Sequence, residues 1–310
     1  MRVGFSSYSF HSLTSSGQMT IPEVIDWVAD SDAEHLELAV GFANDDPMSD
    51  LSDLPNNRRL VDAIKARVAA TGITLSQMAM PASFWTPEGA SAVSAPGQGE
   101  QTGTAEALEA EVARVKAHLD LCEELGITLL RHDVSHGNHP GDDSILFEQA
   151  LPVIAEQSKT IAQYAAGKGV RTSIENHGFF VQASERVRRV IHAVDEQNFG
   201  TTLDVGNFLC VDEDPVVAVG NNIAYATIVH FKDFYIRKQD PGSGFFRSRG
   251  GKYLRGAVVG QGDIDMVSVA EVVKTSGYDG FVTIEFEGSE PALTGCTWGL
   301  ENTRRLLGQA

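Results

Sequence analysis

The chain has 310 residues, of which 42% are hydrophobic and 21% are charged. This length suits a single α/β barrel domain, and the hydrophobic fraction is too high for a disordered protein. The formal net charge of −18 repels phosphate backbones, so we expect no nucleic-acid partner. No apolar run approaches the ~18 residues that a membrane span needs, and the residues after Met1 lack the apolar stretch of a signal peptide. We therefore expect a soluble, cytoplasmic protein with no membrane partner.

The cysteines are odd in number and far apart, at Cys122, Cys210 and Cys296. This spacing forms neither a disulfide framework nor a Cys-x-x-Cys metal site. We expect three reduced thiols in the core of a cytosolic protein.

Strand-like and helix-like segments alternate along the whole chain. Eight strands are predicted, at 2–10, 35–40, 73–80, 127–135, 170–176, 200–206, 228–234 and 281–287. Amphipathic helices are predicted between them, among others at Asn57–Ala70, Ala105–Leu125, Phe147–Ala166 and Ser184–Gln197. Eight such units favour an α/β fold, a (β/α)₈ TIM barrel that forms one domain over residues 1–310. The alternative is an open doubly wound sheet, but no Gly-x-Gly-x-x-Gly follows the first strand.

Several predicted helices are followed by a glycine and then by the next strand. The glycines are Gly72, Gly126 and Gly169. Glycine in the left-handed conformation is a common way to end a helix, so we expect all three to adopt it.

Two long loops follow strands and so belong to the catalytic face of a barrel, at 81–103 and 235–262. Loops of this length are usually lids, binding loops or partner contacts. In the first, Phe84 and Trp85 could form an apolar wall against a sugar face. The second holds six of the 24 basic residues, which are Arg237, Lys238, Arg247, Arg249, Lys252 and Arg255. This clustering predicts an anionic or polyhydroxylated ligand or a neighbouring acidic subunit, and we select Arg255 as a substrate contact.

The last four predicted strands each end in a charged or imidazole side chain that directly follows an apolar residue. These side chains are Glu175, Asp204, His230 and Glu285. The carboxyl ends of barrel strands hold the active site. Three carboxylates that converge there without a cation would repel one another, and a bound metal ion removes that cost.

The donor set indicates the type of ion. Three oxygens and one nitrogen without a thiolate suit Mn²⁺, Mg²⁺ or Co²⁺ in an octahedral site with two open positions. Zn²⁺ also accepts histidine and carboxylate ligands. We expect one divalent ion, with Mn²⁺ as the first choice.

The order of the strands gives the four ligands different roles. Glu175 and Glu285 lie at the two ends of the arc, so a bound substrate would lie between them. One carboxylate could take a proton from a carbon next to a carbonyl, and the other could return it to the same or an adjacent carbon. With an enediolate stabilised by the metal, this arrangement suits a sugar isomerase or epimerase, and the two glutamates are the predicted catalytic residues.

Other polar residues are predicted around the same mouth. His177, Lys232 and Glu287 share the alternation of Glu175, His230 and Glu285, and each is a candidate substrate contact or orients a ligand. On the fourth strand, either His132 alone or both Arg131 and Asp133 can face inward, and the sequence leaves both possibilities open. His132 is the candidate substrate contact from this strand. His136 and His139 are expected to be exposed to solvent, and Asp233 is expected to cap a loop.

These residues carry a resemblance to a known family. The most specific segments are Ile174–Gly178 (IENHG), Leu203–Phe208 (LDVGNF), His230–Phe234 (HFKDF), Gly260–Asp265 (GQGDID) and Ile284–Gly288 (IEFEG). Over nearly its whole length the chain resembles the xylose-isomerase-like sugar phosphate isomerases and epimerases. That group includes tagatose-type 3-epimerases, hydroxypyruvate isomerase, inosose dehydratase and endonuclease IV. The resemblance implies a metal set at the same four residues and proton transfer by Glu175 and Glu285.

The sequence also departs from these relatives. Asn207 stands where tagatose-type epimerases and endonuclease IV carry a histidine, and the further zinc-binding histidines of endonuclease IV do not appear. We keep Asn207 as a candidate substrate contact. The chain is also similar to the catalytic subunits of C-glycoside deglycosidases, which cleave 3-oxo-glycosides and need a small β-protein partner.

Three functions follow from these observations. The first is a metal-dependent isomerase or epimerase of a sugar or keto-sugar. The second is a lyase, either a C-glycoside deglycosidase or an inosose-type dehydratase. The third is a non-catalytic sugar-binding subunit. The expected partners are a small sugar or keto-glycoside and, in an oligomer, further subunits that could include a small one.

Overall fold

The computed structural model describes residues 1–85, 105–137 and 143–309. The strands are β1 (Arg2–Ser6), β2 (His35–Ala39), β3 (Thr74–Met80), β4 (Leu129–His132), β5 (Arg171–Glu175), β6 (Phe199–Asp204), β7 (Ala226–Phe231), β8 (Asp233–Arg237), β9 (Phe246–Arg247), β10 (Tyr253–Ala257) and β11 (Phe281–Ile284). Strands β1 to β7 and β11 form a closed barrel in which every neighbouring pair is parallel, with β11 between β7 and β1. The predicted (β/α)₈ barrel is confirmed.

Helices connect the barrel strands. They are α1 (His11–Ser15), α2 (Ile21–Asp30), α3 (Arg58–Thr71), α4 (Ala105–Leu125), α5 (Ser144–Ala166), α6 (Ser184–Val194), α7 (Pro215–Asn222), α8 (Met266–Thr275) and α9 (Ala292–Leu307). In the described ranges, no helix is both long enough and apolar enough to cross a membrane.

The barrel strands are buried on both faces because helices cover the outside and side chains fill the inside. All six residues of β6 are buried, for example. Gly72, Gly126 and Gly169 adopt the left-handed conformation as expected, with φ between 68° and 74°. The three cysteines are buried free thiols, as predicted.

Several predicted strands end earlier in the structure because the chain turns at the mouth of the barrel. The first stops at Ser6, whose side chain accepts a hydrogen bond from the Tyr8 amide and begins a 3₁₀ turn. The last stops at Ile284, so Glu285 follows the strand. The segment 228–234 is divided between β7 and β8.

The predicted loop 235–262 carries most of an antiparallel sheet of β8, β10 and β9, in that order, which we call the hairpin sheet. Asp233 caps it as predicted: its carboxylate accepts hydrogen bonds from the amides of Gly260 and Gly262 at 3.0 and 2.9 Å. Of the other long loop, 81–103, only residues 81–85 lie within the described part of the chain.

Candidate metal centre

The four predicted ligands come together at the carboxyl ends of adjacent strands. Glu175 and Asp204 are the last residues of β5 and β6, His230 lies in β7, and Glu285 follows β11. Register places Asp204 directly beside His230. Each of the four offers one ligand atom, these atoms all lie within 4.8 Å of one another, and all four residues are buried.

The arrangement fits a divalent ion. Asp204 Oδ2 and His230 Nδ1 lie 3.9 Å apart, and both are buried without a hydrogen-bond partner among the described residues. Burial, with Glu285 and Glu175 adding to it, raises the pKa of Asp204 even though Lys232 opposes the shift. The raised pKa shows that this buried carboxylate has too little positive charge around it, and a cation bound to these atoms would supply that charge.

Lys232 is a fixed cation inside this cluster. Its Nζ lies 2.7 Å from Glu285 Oε2 and 3.2 Å from Glu287 Oε1. Burial alone would lower the pKa of Lys232, but Glu285 and Glu287 hold it well above its usual value. Burial alone would raise the pKa of the Glu285 carboxyl, but Lys232 and His230 hold that pKa below its usual range. Lys232 therefore stays charged and keeps the Glu285 carboxylate ionised.

Asn207 connects the two sides of the cluster. Its Nδ2 donates a hydrogen bond to Glu175 Oε1 at 2.9 Å, and its Oδ1 accepts one from Lys232 Nζ at 3.3 Å. Its backbone N–H donates to Asp204 Oδ1 at 2.7 Å. The polar groups of this side chain are thus used to orient ligands. This geometry favours a role in orienting the candidate ligands over the predicted contact with substrate.

The structure corrects the choice made on the fourth strand. Arg131 is the residue that faces the site: it forms an ion pair with Glu175 and another with Asp133, at 3.1 Å. His132 points elsewhere, fully buried, with its ring 5.5 Å from that of Phe84 and its Nδ1 3.0 Å from the Asp133 carbonyl oxygen. Burial lowers the pKa of His132 to about 4, so it is a neutral core side chain.

Asp133 gathers two histidines beside the centre, an arrangement that the sequence did not reveal. Its Oδ2 lies 3.1 Å from His136 Nε2 and its Oδ1 lies 3.4 Å from His177 Nδ1. Burial would lower the pKa of His177, but Asp133 outweighs it and the pKa rises to about 9. His136, expected to be exposed, is only partly so, and His139 lies outside the described residues.

Glu37 on β2 is a second residue that sequence reasoning missed. It is buried, and its Oε2 lies 2.8 Å from His230 Nε2 and 2.7 Å from Gln77 Nε2. The signal was present, because a lone glutamate interrupts the apolar run at 36–40. Its partner His230 is nearly two hundred residues away, so only the fold shows what Glu37 does.

Aromatic side chains surround the mouth. The Trp85 ring stacks on Phe180 with centroids 5.0 Å apart. Burial, with a smaller contribution from Glu287, raises the pKa of Tyr8 to about 12. Arg255 lies in the hairpin sheet, with its guanidinium 5.1 Å from the ring centre of Tyr235, and its role as a substrate contact stays a prediction.

Comparison with known proteins agrees with this architecture. The family described as Xylose isomerase-like TIM barrel matches residues 25–306. An inosose dehydratase of Clostridium perfringens (strain 13 / Type A) is 26% identical over 155 residues, which are 48% of this chain and 51% of that protein. The matched part thus spans about half the length of that relative.

Two solved structures share the fold. A D-allulose 3-epimerase from Methylomonas sp. superposes with a TM-score of 0.70 at 16% identity, over 99% of this chain and 98% of that one. The IOLI protein with a binding zinc atom gives a TM-score of 0.70 at 14% identity, over 100% and 99%. The closed barrel, the candidate ligands at its carboxyl end and the match over 25–306 lead to one conclusion: the chain belongs to the Xylose isomerase-like TIM barrel family.

Proposed function

We propose that this protein is a divalent-metal-dependent isomerase or epimerase that moves a proton next to the carbonyl of a sugar or keto-sugar. One observation carries the proposal: Glu175 and Glu285 belong to one cluster whose ligand atoms lie within 4.8 Å of one another, but they come from strands separated by β6 and β7. A substrate bound at that cluster would have one carboxylate on each side.

Glu175, Asp204, His230 and Glu285 would hold the ion. When bound, it would supply Lewis-acid polarisation of a substrate carbonyl. We expect Mn²⁺ first. The zinc in the IOLI structure supports a divalent metal without choosing among ions for this chain.

The chain prepares the two glutamates for proton transfer in different ways. Glu175 accepts a hydrogen bond from Asn207 and forms an ion pair with Arg131. Together these two contacts hold the Glu175 carboxylate in one orientation. Glu285 is held by Lys232 at 2.7 Å. Both carboxylates are buried, so each could take or return a proton without competition from bulk water.

A dehydratase is the second candidate. It is favoured by the similarity to an inosose dehydratase and by His177, a side chain that could protonate a leaving hydroxyl group. His177 is partly exposed at the mouth and is paired with Asp133 at 3.4 Å, so it could donate a proton to that hydroxyl while a glutamate removes the proton beside the ketone. Both candidates share the first step, removal of a proton next to a carbonyl.

Exchange of substrate protons with deuterated solvent tests this shared step. The protein, loaded with Mn²⁺, is incubated with a panel of ketohexoses, inososes and 3-oxo-glycosides, and deuterium at the carbon next to the carbonyl is measured by NMR. We expect exchange with at least one substrate and a loss of 10²-fold or more in Glu175→Gln and Glu285→Gln. Glu301→Gln, which changes an exposed glutamate on α9, is the matched control.

Product analysis separates the candidates. An isomer or epimer supports the lead proposal, and loss of water supports the dehydratase. Absence of exchange with every substrate, in protein shown by elemental analysis to hold its metal, would contradict both and favour a sugar-binding subunit.

A further inference from the structure

Asp133, His136 and His177 form a second group of metal-ligating side chains beside the first. Asp133 follows β4, and His177 lies two residues after Glu175. One donor atom from each of the three lies within 4.8 Å of the others. The ligand set described above uses none of these residues.

The cluster is held by its surroundings. Asp133 is 5% exposed, and Arg131 fixes its Oδ1 at 3.1 Å. The Gly137 amide donates to the Gly178 carbonyl at 2.9 Å and joins the two loops that carry the histidines. Gly178 has φ +74°, and a Cβ there would lie 2.8 Å from the His136 ring. Glycine is therefore needed both for this turn and for the approach of His136.

We propose that these three residues bind a second divalent cation, and that Zn²⁺ is the ion they fit best. Two imidazole nitrogens and one carboxylate oxygen are a zinc donor set. Zinc bonds of about 2.0–2.1 Å in a tetrahedron place neighbouring donor atoms roughly 3.3–3.4 Å apart. Asp133 Oδ2 lies 3.1 Å from His136 Nε2, close to that spacing, and one donor atom from each of the three residues lies within 4.8 Å of the others.

The two histidines are open to solvent, and Arg131 does not occupy both oxygens of Asp133, so an ion could bind here. The side chains of His136 and His177 are 31% and 42% exposed, so a fourth position can be filled by water or by a substrate oxygen from the mouth. Arg131 contacts Oδ1 of Asp133 and leaves Oδ2 to face His136. If the ion binds, His177 acts on a substrate through it and not by direct contact.

The charge of the mouth favours a second cation. Arg131, Lys232 and His230 contact six carboxylates, which are Glu37, Asp133, Glu175, Asp204, Glu285 and Glu287. Arg131 and Lys232 are the permanent cations among these described side chains. The carboxylates thus outnumber these two fixed cations, and this excess favours the binding of divalent cations at the mouth. Buried clusters of uncompensated charge are costly.

Zinc stoichiometry tests the proposal without any measurement of activity. Metal-free protein is titrated with Zn²⁺ by calorimetry, and bound metal is measured by elemental analysis after gel filtration. We expect two equivalents in the natural protein and one in His136→Gln and in His177→Gln. His192→Gln, which changes an exposed histidine on α6, should keep two. Asp204→Asn should keep the second site while weakening the first.

A single equivalent in the natural protein would overturn the proposal, as would two equivalents retained in both His136→Gln and His177→Gln. His136 is partly exposed, so its variant is expected to fold, and unchanged circular dichroism checks this. The proposed function is tested separately: it fails if exchange is absent when the first site alone is filled, whatever the zinc count.

Discussion

At the scale of single residues, Glu37 is the feature that most extends the site. Its carboxylate accepts from His230 Nε2 at 2.8 Å, which places the ring proton on that nitrogen and leaves Nδ1 free on the side of Asp204. Carboxylate–histidine pairs of this kind fix the tautomer and ring orientation of metal ligands and increase their basicity. Glu37 would therefore act on a bound metal ion through His230.

The variant Glu37→Gln should weaken metal binding by about 10–100-fold, because the amide keeps the size of the side chain but removes the negative charge from His230. Competition with a chelating dye measures the affinity. Thermal unfolding with and without metal adds a second readout: the rise in Tm on adding metal should shrink in this variant.

The matched control is Glu111→Gln. Glu111 is also buried, at 3%, but it pairs with Arg114 and the Ser83 amide away from the ligand set. It should lower the Tm of metal-free protein and leave the metal-induced rise unchanged. Equal affinities in the Glu37 variant and the natural protein would show that Glu37 has only a structural role.

At the scale of elements, the hairpin sheet is fastened to the barrel at its far end. The Arg249 guanidinium donates to the Phe179 carbonyl at 2.8 Å and pairs with Asp143 at 3.3 Å. Asp212 accepts from the Gly250 amide and from Ser248 Oγ, at 2.5 and 2.9 Å. Several of the basic residues in this segment are thus used within the chain, and a role in binding a partner subunit stays a prediction.

Replacing Arg249 with methionine should loosen this attachment. Phe179 belongs to the loop after β5, which also carries His177, so we expect the KM for substrate to rise several-fold with a smaller change in kcat. The free energy of unfolding should fall by about 1–3 kcal/mol, because the Asp143 carboxylate and the Phe179 carbonyl lose a charged donor. Steady-state kinetics and urea unfolding measure both. Lys238→Met, which changes an exposed residue directly after β8, should change neither.

At Gly4, strand β1 approaches the backbone of His35 in β2 closely. A Cβ at Gly4 would lie 2.0 Å from the His35 carbonyl oxygen and 2.7 Å from its ring. Backbone cannot move aside cheaply, so Gly4→Ala should cost at least ~2 kcal/mol or prevent folding. Urea unfolding and the yield of soluble protein measure this effect.

Gly299→Ala is the control for that substitution. This buried helical glycine in α9 would place its Cβ 3.4 Å from Ile284 Cγ2, an ordinary contact. Alanine also has the higher helix propensity, so stability should be unchanged or slightly higher. A similar loss of stability in both variants would contradict the steric argument at Gly4.

At the scale of the whole molecule, buried neutral histidines make stability depend on pH. His35 lies inside the barrel, with Nδ1 2.9 Å from Ser76 Oγ. Burial lowers its pKa from 6.5 to about 4. Between these values the unfolded chain binds a proton that the folded chain does not, so stability falls as the pH falls from about 6.5 to 4. Above pH 6.5 this contribution is complete.

Replacing His35 with glutamine should flatten that part of the pH profile. The difference in unfolding free energy between the natural protein and His35→Gln should shrink by a few kcal/mol between pH 7 and pH 4, because each pKa unit corresponds to about 1.4 kcal/mol. Urea unfolding at several pH values gives the profile. The exposed-residue control His192→Gln should follow the natural protein, and parallel curves for His35→Gln would refute the assignment.

Local pattern determined a large part of this protein. Apolar patterns, and glycines that follow helices, such as Gly72, predict the strands and helices. Eight alternating strands and helices then predict the barrel, because parallel strands need helical crossovers. Glu175, Asp204, His230 and Glu285 could be found because each lies at or next to the carboxyl end of a strand, and the carboxyl ends of barrel strands meet.

Only the tertiary structure decided which other side chains reach that site. Arg131 and His132 are equivalent in sequence, and the twist and register of β4 decide that Arg131 pairs with Glu175. Glu37 pairs with His230 across the barrel, and Asp133 gathers histidines from two loops. The reason is physical: periodicity records which side of an element is buried, whereas contacts between distant segments arise when the barrel closes.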